Sequence, residues 1–214
     1  GLGIRANYDS VEQYADSLLK AITTPAEPWQ RIGVKVAGEY RQLNANILQI
    51  ENEYYSSVRP KQLLQGLESP ALALKRRGVR YIELRSLDVN AYHPLGVDEV
   101  QLRFLETWML AALFADSPTL TSVEHLAHNQ NLLDVAHRGR EPGLKLNRDG
   151  RKVGLAEWGQ EILQSMLPVA EALDRLHGGN DYEDALDDQL NKILYPALTP
   201  SARMLNEMRN NGES

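Results

Sequence analysis

The chain of 214 residues carries 29 acidic against 23 basic side chains, a net charge of -6, and no cysteine. An acidic balance argues against a general nucleic-acid surface, which needs a basic excess. The lack of cysteine excludes disulfides and thiolate metal sites, and no run of about 18 apolar residues predicts a membrane-spanning helix. The length suits a single domain over 1–214, with the cytoplasm as the default location.

The chain opens with "GLGIRANYDS", which has neither an initiator Met nor an apolar signal segment, and so reads as a processed chain or a piece of a longer one. Apolar spacing from Val11 to Ile22 predicts a helix that Asp9 or Ser10 caps, and the two prolines of "TTPAEP" end it. Ile32 to Val36, a turn at Gly38 and Tyr40 to Ile50 resemble a short hairpin that feeds a longer strand. Ser69 followed by Pro70 predicts a capped helix that stops near Gly78. The stretch "RYIELRSLDVN", Arg80 to Asn90, reads as a strand.

The longest apolar segment, Val97 to Ala115, is apolar on two faces and predicts a buried core helix. Thr121 and Glu124 fit a capping box. "EPGLKL" predicts a turn before a short extended piece. Trp158, Ile162, Met166, Val169, Leu173 and Leu176 keep helical spacing until "HGGN". Asp181 is placed to cap the next helix, and Thr199-Pro200 opens the last one. Six or seven helices with three or four strands predict an α+β fold, a small antiparallel sheet portion with packed helices.

Strand alternation puts Glu83 and Arg85 on one face, an acid and a base side by side. They fit an ion pair on a half-exposed strand, or a metal-binding carboxylate next to a phosphoryl-neutralising guanidinium. In "LQIENEYYSSVRPK" the same alternation gives a polar face of Gln49, Glu51, Glu53 and Tyr55, followed by the cations Arg59 and Lys61. Such a face meets solvent or lines a cleft. His125 and His128, with His137 further on, have helical spacing. Without an acid that completes a known signature they read as a solvated helix face. No phosphate loop of the G-x-x-x-x-G-K-[ST] type is present.

Two blocks, "LNANILQIENEYYSSVRPK" and "GVRYIELRSLDVNAYHPLGVDEVQLRFLETWML", closely resemble the proteobacterial type of the glutamate–cysteine ligase family. Weaker similarity runs through "EPGLKL", "LHGGNDYEDALDDQL" and "LTPSARML". The resemblance implies a glutamine-synthetase-like catalytic fold and an ATP- and magnesium-dependent joining of L-glutamate to L-cysteine, the first step of glutathione synthesis. It implies that Glu83 binds magnesium, Arg85 contacts the transferring phosphoryl group, Tyr55 helps form the cysteine pocket, and Arg59 lies on the nucleotide phosphate side. It also implies that the chain is the C-terminal portion of a longer ligase. Most metal carboxylates would lie in an N-terminal half, and the chain alone would bind nucleotide weakly and be inactive. Two other readings are a non-catalytic helical module that keeps the family fold, and a ligase of the same superfamily with another amine acceptor.

Overall fold

The computed structural model describes residues 4–212, and its contacts group into two units, Gly1–Asp88 and Val89–Ser214. Among the described residues there are eight α-helices and six short strands, an α+β composition. The strands form three separate antiparallel pairs rather than one sheet of three or four strands.

In the first unit, α1 (Val11–Thr23) starts at Ser10, whose hydroxyl accepts the Gln13 N–H. α3 (Pro70–Arg77) starts at Ser69 with Pro70 in its first turn and stops at Gly78, as the sequence predicts. α1 and α3 bury Tyr14, Ala15, Leu18, Ala21, Ala71 and Leu74 together with Leu48 and Tyr54. The alanines at Ala15 and Ala71 are fully buried, and their size lets the two helices approach closely.

α1 ends at Thr23, just before the two prolines, as expected, and α2 (Glu27–Ile32) then forms with Pro28 in its first turn, where a missing N–H costs nothing. The long strand expected over Tyr40 to Ile50 is absent. The hairpin is confined to β1 (Lys35–Val36) and β2 (Glu39–Tyr40), and the chain beyond it is a loop. Its polar side chains bind nearby backbone instead of leaving it free for a ladder. Asn44 accepts the Asn46 N–H, Gln49 accepts the Leu43 N–H, and Glu53 accepts the Gln49 N–H. Residues Glu51–Glu53 close into a 3-10 turn.

β3 (Val58–Lys61) pairs with β4 (Tyr81–Leu84), so the strand expected from Arg80 to Asn90 is only four residues long. The Arg85 N–H donates to the Ser57 carbonyl at 2.8 Å, which fixes the hydrogen-bonded positions of β3 at every second residue. Pro60 falls between them, where its missing N–H would point away from β4.

The second unit packs α4 (Glu99–Phe114), α6 (Leu155–His177) and α7 (Asp181–Leu194) around Leu163, Met166, Ala170, Leu173, Tyr182 and Leu186. α4 is not the wholly buried helix expected. Only Leu105 and Thr107 are buried, while Leu113 and Phe114 are 74% and 78% exposed. It packs by one side, so its second apolar face lies at the unit's surface.

α5 (Ser122–Arg138) begins with the expected capping box of Thr121 and Glu124. β5 (Lys145–Arg148) and β6 (Arg151–Gly154) form a hairpin. Its turn places Asp149 and Gly150 at φ 52° and 80°, the pairing that a two-residue hairpin requires. α7 is not capped by Asp181. The cap at its start is the buried Asp174 of α6, which accepts the N–H groups of Tyr182 and Glu183 at 3.0 Å each. Asp181 instead pairs with Arg103 at 3.2 Å. A 3-10 turn then leads to α8 (Pro200–Asn210), capped by Thr199.

Candidate functional site

The β3–β4 ladder gathers the predicted site residues. Its register sets Arg59 directly opposite Glu83 and Lys61 opposite Tyr81, so these side chains share one face. Arg85, two residues beyond Glu83, donates from Nε to Glu83 Oε2 at 2.8 Å. The Lys61 ammonium stands 3.7 Å from the same carboxylate oxygen, an ion-pair distance beyond hydrogen-bond length. The expected acid and base are therefore joined on one face, and the register adds a lysine to them.

Tyr55 comes to the same place from the loop before β3. Its ring lies 5.8 Å from the Arg85 guanidinium carbon, and its hydroxyl donates to the Arg85 carbonyl at 3.3 Å. Tyr55 is 71% exposed, and the side chains of Glu83, Arg85 and Lys61 are partly exposed. This end of the ladder presents charge to solvent, next to an aromatic ring.

Arg59 differs from its neighbours, being only 4% exposed. Its Nε is buried without a hydrogen-bond partner among the described residues. The guanidinium lies beside the Tyr14 hydroxyl of α1. Burial raises the Tyr14 hydroxyl above its ordinary pKa, and the positive charge of Arg59 works against that rise. The Tyr8 hydroxyl donates to the Val58 carbonyl at 2.8 Å, which ties β3 to this cluster.

The face is electrostatically unbalanced. The Arg85 hydrogen bond is the main reason that the Glu83 carboxyl sits below its ordinary pKa. Lys61, Arg85 and Arg59 add their charges in the same direction, against a smaller rise from burial. Arg85 is raised in turn, chiefly by its bond to Glu83. Three cations thus face one carboxylate, an excess of two positive charges.

The polar face expected from Gln49, Glu51, Glu53 and Tyr55 does not form. Glu51 is buried inside the first unit, where it accepts the Ser69 hydroxyl and, at 2.7 Å, the Ala71 N–H. It holds the start of α3 and does not point into a cleft. Only Tyr55 of that set reaches the ladder.

No group of three or more His, Asp or Glu side chains placed to hold a metal ion occurs among the described residues. Glu83 is one carboxylate already paired with a guanidinium, so these residues alone do not make a magnesium site. His128 lines an apolar hollow of about 440 Å³ between α5, β5 and α6, with Leu132, Leu146, Trp158 and Ile162. It is not part of a metal cluster.

A family model described as Glutamate-cysteine ligase matches residues 2–135, which include the whole ladder. The chain belongs to the glutamate–cysteine ligase family. It is 45% identical over 207 residues to the glutamate–cysteine ligase of Azotobacter vinelandii, covering 97% of this chain and 39% of that one. The Pseudomonas paraeruginosa enzyme of the same name is 46% identical over 212 residues, covering 99% and 40%. The crystal structure of the Francisella tularensis glutamate–cysteine ligase in complex with AMP superposes with a TM-score of 0.90 at 35% identity. That match covers 98% of this chain and 42% of the other. A bifunctional glutathione synthetase from Pasteurella multocida, at a TM-score of 0.60 and 20% identity, shares the fold alone. The chain therefore spans about 40% of the length of the curated relatives it matches.

One residue of the ladder has no role in the sequence reading. Lys61 is noted there only as a second cation after Arg59. The signal was the alternation in "VRPK": with Glu83 opposite Arg59, Lys61 must fall on the same face.

Proposed function

We propose that this chain is part of a glutamate–cysteine ligase that joins the γ-carboxylate of L-glutamate to the amine of L-cysteine at the expense of ATP. The observation that carries the reading is the Glu83–Arg85 pair, with Lys61 and Tyr55, on one exposed face of a ladder within the family match. The AMP bound to the Francisella tularensis ligase supports a nucleotide as ligand.

A carboxylate is a poor acyl donor, so the first step moves the terminal phosphoryl group of ATP to a γ-carboxylate oxygen and releases ADP. The cysteine amine then attacks the acyl carbon, loses a proton and expels phosphate. Catalysis of the first step rests on positioning and charge neutralisation. Arg85 is the residue assigned to the transferring phosphoryl oxygens. Its planar fork suits them, and its bond to Glu83 fixes its direction. Tyr55, exposed beside it, is assigned to the cysteine pocket. Glu83 is the candidate magnesium ligand, as a single carboxylate of a centre completed by residues outside this chain. Arg59 is assigned to the nucleotide phosphate side; it is buried on the same face, so it acts through its charge.

On this reading residues 1–214 form a portion of one catalytic domain, in a cytoplasmic enzyme whose other portion supplies most of the substrate pocket. Among the described residues no helix is long and apolar enough to cross a membrane. The test joins this chain to the remaining portion of such a ligase and follows ADP release that depends on both L-glutamate and L-cysteine. The chain alone is expected to show none. Arg85→Lys in the joined protein is expected to lower the rate on the order of 10²–10³-fold, the usual cost of one preorganised donor. A joined protein that is folded yet silent favours a non-catalytic module.

A further inference from the structure

We infer that Lys61 is a further anion-contacting residue, and that it and Arg85 form a two-sided clamp for the phosphate chain of the nucleotide. The inference rests on the ligase reading and deepens it. Three features of the ladder carry it.

The first is geometry. Lys61 and Arg85 approach the same Glu83 oxygen, Oε2, one from the neighbouring strand and one from further along the same strand. Their charged ends therefore border one small patch of the face. The second is the charge balance. Glu83 is hydrogen-bonded by Arg85, while Arg59, buried opposite it, adds a positive charge without forming an ion pair with that carboxylate. Of Lys61 and Arg85, Lys61, 3.7 Å from an oxygen that already accepts from Arg85, is the less compensated cation, and a phosphate chain supplies further negative charge. The buried charge of Arg59 on the same face adds to the attraction, because it is screened less than an exposed cation.

The third is freedom to move. At 3.7 Å the Lys61 ammonium is outside hydrogen-bond range of Glu83, and its side chain is 23% exposed. It can turn towards an incoming oxygen without breaking a formed hydrogen bond. Arg85 is held more firmly, at 2.8 Å. One cation is fixed and the other is adjustable, an arrangement that fits a ligand whose phosphates shift during transfer. Lys acts here as a point charge, so an arginine at the same place retains the function.

The experiment titrates this chain, joined to the remaining portion of such a ligase, with ATP, with inorganic tripolyphosphate and with L-glutamate, followed by calorimetry, for the unaltered sequence and three variants. Lys61→Gln is expected to weaken binding of ATP and tripolyphosphate about ten-fold or more, the worth of one hydrogen bond to a charged group. Lys61→Arg is expected to bind close to the natural protein. Arg85→Gln serves as the reference for the proposed site, and thermal melting of each variant reports its fold. Binding that is lost in Arg85→Gln but unchanged in Lys61→Gln overturns the inference and leaves the ligase reading standing. So does equal loss in Lys61→Gln and Lys61→Arg, which points to a role other than charge. If L-glutamate instead of tripolyphosphate is the ligand weakened in Lys61→Gln, the anion is a carboxylate and the clamp assignment is wrong. If neither ATP nor tripolyphosphate binds the unaltered joined protein, the nucleotide reading of this face falls together with the inference.

Discussion

Glu83 stands between a guanidinium and an ammonium, and that position makes its protonation state a handle on the whole face. Its folded pKa is depressed, mainly by the Arg85 hydrogen bond. A carboxyl of this kind contributes stability above its unfolded pKa and loses it as the pH falls through the lower folded value. Titrated by carbon NMR, Glu83 is expected to have a midpoint below the ordinary carboxylate range, and Arg85→Gln is expected to move that midpoint upward. A midpoint at the ordinary value would show that the pair does not persist in solution. Much of this was legible at the residue scale. Two-residue spacing alone put Glu83 and Arg85 on one face, because side-chain alternation continues one residue past the four-residue strand, where the Arg85 N–H still bonds the Ser57 carbonyl. The burial of Arg59 was not legible. It depends on Tyr14 and Tyr8, more than forty residues earlier in the chain, and no local pattern reports them.

Helix starts were read well where the capping group is local. Ser10, Ser69, Thr121 and Thr199 each accept an N–H from three residues on, so the signal lies within one turn of sequence. Thr121→Ala is expected to cost about 1 kcal/mol in denaturant unfolding, since it removes one side of the capping box. Two helix starts, that of α7 and again that of α3, also depend on acids that act at a distance. Glu51 serves the start of α3 from across the first unit, and Asp174 serves the start of α7 from within α6. Both carboxylates are buried, and each satisfies donors that would otherwise be orphaned. Glu51→Ala is expected to destabilise the first unit by about 1–3 kcal/mol, visible as a lower thermal midpoint, with the second unit's helices intact. The loop over residues 41–50 defeated the reading for a related reason. Alternation there is real, but asparagine and glutamine side chains take the backbone partners that a neighbouring strand would need.

At the scale of the molecule the α+β composition followed from grouping helical and extended segments, while the division of the strands into three pairs did not. Pair formation depends on which segments meet in space, and the sequence pattern carries only their number and alternation. The second unit leaves apolar side chains of α4 and α5 in solvent, including Leu113, Phe114, Val123 and Leu126. The chain alone is therefore expected to bind an apolar reporter dye, and replacing Phe114 and Leu126 with Gln is expected to reduce the fluorescence without altering the melting midpoint by more than a few degrees. Pro60 has a consequence of its own. A third strand laid along the outer margin of β3 would meet a carbon ring where it needs a donor, and would forfeit one rung of its ladder. The outer margin of β4 carries no such gap, so any widening of this two-stranded ribbon is cheaper on the side of the strand that bears Glu83.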